Sequence, residues 1–325
     1  SYKGKMWALG HGYVLTSGDG SSWTVLGESI PELQRDRHTA LVFDDKIWVL
    51  GDQDSDRQPL SVVYSANGTS WTVATEDPPW GLREGFASVV HNGRIWVLGG
   101  VWAGETNSDV WYSEDGANWH QATSSAPWTG RYDHAAVVHD GKMWVLGGRT
   151  WLDWLGDVWC STSGTTWTLV THSAPWTARF AHSAVVHDDK MWVIGGYPDG
   201  YRANDVWSSE DGSSWTLVTP DAGWAPVSEH SSVVHNGKIW MLHNEVWCSE
   251  DGASWTETAP AARWWEPRSG HASVFFDDRI WVLGGGTNDV WSSPDGERWT
   301  VATYHAPWVD RMDHAAAVYD GRIWV

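Results

Sequence analysis

Cysteine and basic residues are scarce in this sequence of 325 residues, and each shortage excludes a class of protein. Only two cysteines are present, which excludes a disulfide-rich scaffold and a zinc site built from cysteines alone. The 21 Lys and Arg residues face 41 Asp and Glu residues, for a formal net charge of −20. Phosphate backbones and anionic membrane surfaces bind cationic faces, so we expect neither nucleic acid nor a membrane surface as a partner.

Long hydrophobic runs are also missing. No uninterrupted apolar segment approaches the roughly 20 residues that a membrane-spanning helix needs. The first residues, SYKGKMW, lack the charged and apolar regions of a signal peptide. We therefore expect no insertion into a membrane.

The two cysteines occupy equivalent places in different repeats. Cys160 and Cys248 both stand in a VWCS segment. Equivalent positions in units that are not neighbours lie well beyond the roughly 7 Å between Cα atoms that a disulfide tolerates. We expect two free thiols, which give no sign of an oxidising compartment.

Tryptophan and glycine are abundant instead. The chain has 30 Trp but only 5 Phe, and its 34 Gly often follow Asp or Asn. Short strands joined by tight turns have this composition, so the sequence predicts an all-β protein.

A repeated segment of the form K/R-I/M-W-V-L-G-G sets the period of the chain. Its Trp stands at Trp7, Trp48, Trp96, Trp144, Trp192, Trp240, Trp281 and Trp324, in steps of 41, 48, 48, 48, 48, 41 and 43 residues. The spacing predicts seven units, at about 2–42, 43–90, 91–138, 139–186, 187–234, 235–275 and 276–318, with 319–325 repeating the N-terminal strand.

Each unit predicts four short strands. An apolar run such as 134–139 is followed by Asn-Gly, Asp-Gly or Asp-Asp, then by the Trp-containing segment. Asn, Asp and Gly tolerate the positive φ of a type I′ hairpin turn. A loop of variable length leads to a DVW-S strand, a turn of the form SEDG, and a fourth strand that opens with Trp. Hairpin, loop and hairpin, repeated seven times, predict a seven-bladed propeller of four-stranded antiparallel blades in one domain.

The ends of the chain predict how the ring closes. Tyr2–Trp7 matches Tyr319–Trp324, so the second strand of the closing blade is available twice. We expect the first strand from about 312–319, the third and fourth from about 12–26, and the N-terminal copy as the second strand while the last residues fray. The alternative is pairing of the duplicate strand with another molecule, so the prediction is a monomer with strand exchange as the other outcome.

The double Gly, the Trp of the fourth strand and the four-strand spacing resemble kelch repeats over the whole chain. The phrases DVW-S-DG--WT and APW--R--H are similar to bacterial kelch-like propellers of the galactose-oxidase type. The resemblance implies a propeller fold and favours an extracellular, periplasmic or cell-surface location. For function it implies a range from protein adaptors to sugar oxidases and sialic-acid mutarotases. The copper site of a kelch oxidase, with its Tyr cross-linked to Cys, does not carry over, because both cysteines stand in repeated third-strand positions. We expect no cofactor and no metal.

The phrase R-x-x-H recurs at the start of the first strand, where the fold lines its central channel. Its members are Arg35/His38, Arg131/His134, Arg179/His182, Arg268/His271 and Arg311/His314, with Arg83 or His230 alone in two units. We expect each Arg to pair with the Asp before VW (Asp109, Asp157, Asp205 or Asp289) and each His to donate to neighbouring backbone. A metal or anion site is the alternative, but a seven-fold ring holds its members too far apart for one ion.

A Trp also recurs between the fourth and first strands, at Trp80, Trp128, Trp176, Trp224, Trp264 and Trp308. These rings either cap the blade ends or stack against sugars or peptides; we favour capping.

The loops after the second strand break the repeat and carry the stronger functional signal. They are long in four consecutive units, at 52–61, 101–108, 149–156 and 197–204, and short in the others. They leave the same face as the Trp loops, and aromatic and Arg residues are enriched at binding hot spots. The predicted binding residues are Trp102, Glu105, Arg149, Trp151, Asp153, Trp154, Tyr197, Asp199, Tyr201 and Arg202, together with Trp264 and Trp265.

Two functional classes remain open. The first is a non-catalytic scaffold that binds a glycan or a protein on the loop-rich face, and we favour it because no nucleophile elbow, phosphate loop or metal motif is present. The alternative is a secreted carbohydrate-active enzyme, a mutarotase, lyase or oxidase-like protein, for which Glu229, Glu266 and Arg268 are the candidate groups.

Overall fold

The computed structural model describes residues 6–10, 13–17, 24–27, 39–51, 61–66, 72–235, 237–243, 246–257, 271–276, 279–284, 286–294, 299–304, 317–319 and 322–324. Every regular element in these ranges is a β-strand, and all pairings are antiparallel. None of these ranges contains a helix with the length and apolar character needed to cross a membrane.

The strands follow the repeat of the sequence. In chain order they are β1 (Met6–Gly10), β2 (Tyr13–Ser17), β3 (Thr24–Gly27), β4 (Thr39–Phe43), β5 (Lys46–Leu50), β6 (Val62–Ser65), β7 (Thr72–Thr75), β8 (Ala87–His91), β9 (Arg94–Leu98), β10 (Val101–Trp102), β11 (Glu105–Thr106), β12 (Val110–Ser113), β13 (Trp119–Thr123), β14 (Ala135–His139), β15 (Lys142–Leu146), β16 (Val158–Ser161), β17 (Thr168–Thr171), β18 (Arg179–Phe180), β19 (Ser183–His187), β20 (Lys190–Pro198), β21 (Ala203–Ser209), β22 (Thr216–Thr219), β23 (Ser231–His235), β24 (Lys238–Leu242), β25 (Val246–Ser249), β26 (Thr256–Glu257), β27 (Ala272–Phe276), β28 (Arg279–Leu283), β29 (Val290–Ser293), β30 (Thr300–Thr303), β31 (Ala317–Tyr319) and β32 (Arg322–Trp324).

Six sheets run from a first to a fourth strand along the same path. We number them blade 1 (β4–β7), blade 2 (β8, β9, β12, β13), blade 3 (β14–β17), blade 4 (β19–β22), blade 5 (β23–β26) and blade 6 (β27–β30). The first strand of each blade neighbours the first strand of the next, and β31 neighbours both β27 and β4. Seven first strands thus form a closed ring, as a seven-bladed propeller requires.

The seventh sheet position is filled from both ends of the chain. β1 pairs with β2 and β2 with β3, whereas β31 pairs with β32. The N-terminal copy therefore joins the third strand, as expected. The C-terminal copy is also a strand, paired with the first strand and lying beside β1, so the expectation that the last residues fray was wrong for Arg322–Trp324. Their backbone N–H and C=O groups pair with β31, and these hydrogen bonds would be lost if the residues frayed.

The hairpin turns between first and second strands in blades 1 to 4 have the predicted type I′ geometry. Asn92 and Gly93 have φ of 49° and 67°, and Asp140 and Gly141 have 48° and 66°. The Asp-Asp turns do the same, with 49° and 55° at Asp188 and Asp189. The face of the disc opposite the loop-rich face is therefore closed by tight turns.

Neighbouring blades interlock through the repeated Trp and the Gly of the SEDG turn. The indole of Trp96 in blade 2 is buried, donates to the carbonyl of His91 at 3.0 Å, and lies over Gly164 of blade 3. A Cβ at Gly164 would overlap the Trp96 ring. The same overlap recurs for Gly116, Gly212 and Gly252 against Trp48, Trp144 and Trp192. This repeated contact explains why the turn keeps a glycine.

The Trp residues between fourth and first strands cap the blades, as we favoured. Trp80, Trp128, Trp176 and Trp224 are all at most 4% exposed. Each packs edge to face on the fourth-strand Trp of the next blade, for example Trp128 on Trp167 with ring centroids 5.9 Å apart. These rings are not available to stack on a sugar. Trp264 and Trp308 lie outside the described residues.

Candidate functional site

In blades 2, 3 and 4, the Arg at the start of this phrase is a buried structural anchor. Arg131 donates from Nη1 to the Gly147 carbonyl at 2.8 Å and to Asp157 Oδ1 at 2.6 Å, and from Nη2 to Asp157 Oδ2 at 2.8 Å. Arg179 makes the same bonds to Gly195 and Asp205, and Arg83 pairs likewise with Asp109. The predicted Arg–Asp pairing is confirmed in these three blades.

This pairing also sets the charge state of the aspartates. Burial opposes ionisation of Asp157 and Asp205, but the bidentate bonds and charge of the paired arginine outweigh it and hold the pKa of both carboxyls below its usual value. The anchors are therefore ion pairs at neutral pH.

The prediction that each His donates to neighbouring backbone was wrong for His134 and His182. Both side chains are buried, and neither ring nitrogen of either residue has a hydrogen-bond partner. Burial lowers the pKa of both to about 3, so both rings are neutral. In blade 5, His230 meets the Ser183 hydroxyl through Nε2 at 2.9 Å.

The double Gly explains why these positions hold an imidazole. A Cβ at Gly148, in the same blade, would lie 2.6 Å from the Cβ of His134, and one at Gly99, in the preceding blade, would lie 3.2 Å from its Cε1. His182 lies in the same way against Gly196 and Gly147, so both histidines fill space left by glycines of two blades. Their role is packing between blades.

The residue just before the His position of the phrase connects neighbouring blades. It has positive φ, at 63° for Gly85, which precedes Phe86, and at 51° for Asp133, 51° for Ala181 and 58° for Glu229, which precede a His. Backbone bonds link these positions from blade to blade: Asp133 N to Gly85 O at 2.9 Å, Ala181 N to Asp133 O at 3.1 Å, and Glu229 N to Ala181 O at 3.0 Å. We call these four residues the rim; its left-handed backbone is held by hydrogen bonds between blades.

The four rim residues line a recess of about 890 Å³ on the loop-rich face. Its walls come from five consecutive blades, and the loop after β15 stands over one side. The lining residues are Thr39, Glu84, Gly85, Phe86, Val101, Tyr132, Asp133, His134, Arg149, Thr150, Trp151, Leu152, Asp153, Trp154, Phe180, Ala181, His182, Tyr197, Glu229 and His230.

Aromatic rings and one guanidinium form one wall of the recess. Arg149 lies between the rings of Tyr132 and Phe180, with its Cζ 4.4 Å and 4.0 Å from their centroids. Its Nε and Nη2 contact Asp133 Oδ2 at 3.0 Å and 2.8 Å. Trp151 packs on Tyr132 with centroids 5.4 Å apart. Cation–π stacking and the ion pair together fix Arg149 in place.

Burial and the neighbouring charges set the protonation state of Tyr132. Burial raises the pKa of Tyr132; the charge of Arg149 opposes this shift, while Asp133 and Glu84 add to it. Tyr132 therefore stays a neutral hydroxyl at physiological pH. Among the described residues, no group of three or more His, Cys, Asp or Glu side chains is arranged to hold a metal ion.

The comparisons with known proteins agree with the repeat. The model of the KLHDC2/KLHL20/DRC7 Kelch-repeats domain matches residues 11–161 and 115–285. The chain belongs to this Kelch-repeat family. Among solved structures, the one titled "Structure of YjhT" aligns with a TM-score of 0.64 at 16% identity, over 82% of this chain and 96% of that one. At this identity the likeness shows the fold alone. No curated protein matches the chain.

In this Kelch propeller, five of the predicted binding residues come together in the recess: Arg149, Trp151, Asp153, Trp154 and Tyr197. Trp102 and Glu105 lie in a separate pocket of about 430 Å³, which Trp80 and Arg83 also line. Asp199, Tyr201 and Arg202 are exposed at the β20–β21 turn and do not line the recess. Trp264 and Trp265 lie outside the described residues, as do Glu266 and Arg268.

The two variable positions of the R-x-x-H phrase are missing from the predicted binding residues. Glu84, Tyr132, Asp133 and Phe180 line the recess, and Glu229 was weighed only as a catalytic group. A signal for them exists in the sequence. Within a frame that repeats Arg and His, these positions change from blade to blade, as surface presented to a ligand does.

Proposed function

We propose that this Kelch propeller is a non-catalytic binding scaffold whose recess takes an extended segment of a partner protein. The observation that carries the proposal is the exposed apolar tip of the β15–β16 loop, beside the recess. Trp151 is 58% exposed, Leu152 92% and Trp154 39%. Large apolar side chains clustered at the edge of a concave site are typical of protein-binding surfaces.

The size and lining of the recess support the same proposal. Its volume of about 890 Å³ is within the roughly 300–1,000 Å³ of ligand sites, which is room for a few side chains of a peptide. The wall of Tyr132, Arg149 and Phe180 is held by stacking and an ion pair before any ligand arrives. A preformed wall reduces the entropy lost on binding.

The buried histidines favour binding over catalysis. His134 and His182 line the recess, but their ring nitrogens are shielded from solvent. Burial lowers their pKa to about 3, so both rings are uncharged at neutral pH and are not protonated there. A general acid or base needs contact with the substrate and a pKa near the working pH.

A displayed library of random dodecapeptides, flanked by Gly-Ser spacers, tests the proposal. Selection on the wild-type chain should enrich sequences that no longer bind when Trp151 and Trp154 are both replaced by Ala. The matched control is Leu217→Ala, an exposed apolar side chain on β22 outside the recess. If no peptide depends on the recess, while a glycan array gives a signal that the Trp151→Ala/Trp154→Ala variant loses, the ligand is a sugar and the proposal is wrong.

A further inference from the structure

We propose, building on this function, that the partner segment places a basic side chain, Lys or Arg, in the recess. The described lining carries four carboxylates, at Glu84, Asp133, Asp153 and Glu229. It carries one guanidinium, Arg149, and that group is already paired with Asp133.

The chain itself shows how this surface holds a guanidinium. Arg149 is stacked between the rings of Tyr132 and Phe180, at 4.4 Å and 4.0 Å, and bonded at its edge to the Asp133 carboxylate. The aromatic rings stack on the two flat faces of the guanidinium, and the carboxylate accepts hydrogen bonds from the N–H groups at its edge. A ligand cation that meets rings and a carboxylate is held by the same chemistry.

The recess keeps both kinds of group free for a second cation. Among the described residues, the carboxylates of Asp153 and Glu229 have no hydrogen-bond or ion-pair partner, and both side chains are exposed. They belong to blades 3 and 5 and both line the recess. Trp151 and Trp154 beside Asp153 are partly exposed rings, and Trp gives the strongest cation–π attraction.

The charge balance disfavours an anionic ligand. The three histidines that line the recess add no positive charge, because burial lowers the pKa of His134, His182 and His230 to about 3. An acidic ligand would therefore meet unpaired carboxylates with Arg149 already engaged. The net charge of −20 over the whole chain also speeds the approach of a basic segment at low salt.

The recess-dependent peptides from the display selection provide the test. They should contain Lys and Arg in clear excess over Asp and Glu. Replacing the critical Arg of a selected peptide by citrulline, which keeps its shape and removes its charge, should weaken binding about tenfold. The protein variant Glu229→Gln/Asp153→Asn should weaken binding of the Arg peptide and leave the weaker citrulline peptide unchanged.

The matched control is Glu76→Gln. Glu76 is an exposed carboxylate at the start of the β7–β8 loop that lines neither pocket, so its loss should leave both affinities unchanged. Recess-dependent peptides without a basic excess, or a citrulline peptide that binds as well as the Arg peptide, overturn this inference and leave the binding function standing. If no recess-dependent peptide is recovered, both proposals fall together.

Discussion

Replacing Gly164 by Ala should destabilise this propeller much more than the same change at Gly141. Both residues have positive φ, 73° and 66°. Alanine in the left-handed region costs about 1–2 kcal/mol, partly offset by about 0.4–1 kcal/mol from the stiffer unfolded chain. The shared backbone cost is thus about 1 kcal/mol at either site.

The two sites differ most in what a new Cβ meets. At Gly141 nothing lies within 4 Å, whereas at Gly164 the Cβ overlaps the Trp96 ring, which is 1% exposed. Overpacking of a tight core costs about 1–3 kcal/mol, and we expect the upper end because moving this indole also strains its hydrogen bond to His91. Gly164→Ala should therefore cost about 4 kcal/mol in total.

Urea unfolding followed by Trp fluorescence measures both variants against the wild type. A double-mutant cycle with Trp96→Leu isolates the contact, because the extra cost of Gly164→Ala should largely vanish once the ring is gone. Equal losses at Gly141 and Gly164, or an undiminished cost in the Trp96→Leu background, would refute the idea that this Gly–Trp contact interlocks the blades.

Three further predictions follow from the buried groups and the exposed loop. The pKa of His134 and His182 is about 3 in the folded chain, against the ordinary 6.5 of a histidine in the unfolded chain. As the pH falls the unfolded chain is protonated first, so the free energy of unfolding is full above about pH 6.5 and is lower by about 2 kcal/mol per histidine at about pH 5. Replacing both by Phe, the residue found at the equivalent Phe86, should flatten that decline in urea midpoints, and an unchanged slope would contradict it. Asp157→Asn should cost about 3–5 kcal/mol by leaving Arg131 buried without its anion, whereas Asp153→Asn, at an exposed unpaired carboxylate, should change the urea midpoint little; similar losses would show that the Arg131 anchor is dispensable. Trp151→Ala/Trp154→Ala should lower the melting temperature by no more than a few degrees while abolishing recess binding, and a collapse of the fold would assign these rings to the core.

The sequence predicts the scaffold well because each of its rules repeats. The Trp spacing, the Asn-Gly and Asp-Gly turns and the Arg–Asp pairs each recur in several blades. Each prediction from them therefore rests on several independent copies of the same local sequence. The resemblance to kelch repeats is confirmed by the family match. The one repeated feature that was misread is the histidine, because its place is decided by the shape left between glycines of two blades, which no single segment reveals.

The site was predicted less completely, for a physical reason. Arg149, Trp151 and Trp154 stand out because their loop breaks the repeat. Asp133 and Glu229 are hidden inside the repeated phrase, and only the meeting of several blades at the channel mouth brings them into one recess. Long-range convergence of this kind depends on the ring closing, so spacing along the chain does not show it.

The hydrogen-bonded rim limits which side chains the recess can evolve. Positions 133, 181 and 229 hold their backbone at φ between 51° and 58°, a conformation that Asp, Asn and Gly accept readily and that Val, Ile and Thr resist strongly. The positions just before them, Tyr132 and Phe180, are free of this restriction and already carry the large rings. When related propellers bind different ligands, we therefore expect positions 133, 181 and 229 to vary among unbranched, mostly polar residues. The residue before each of them should vary widely, and the strands should stay unchanged.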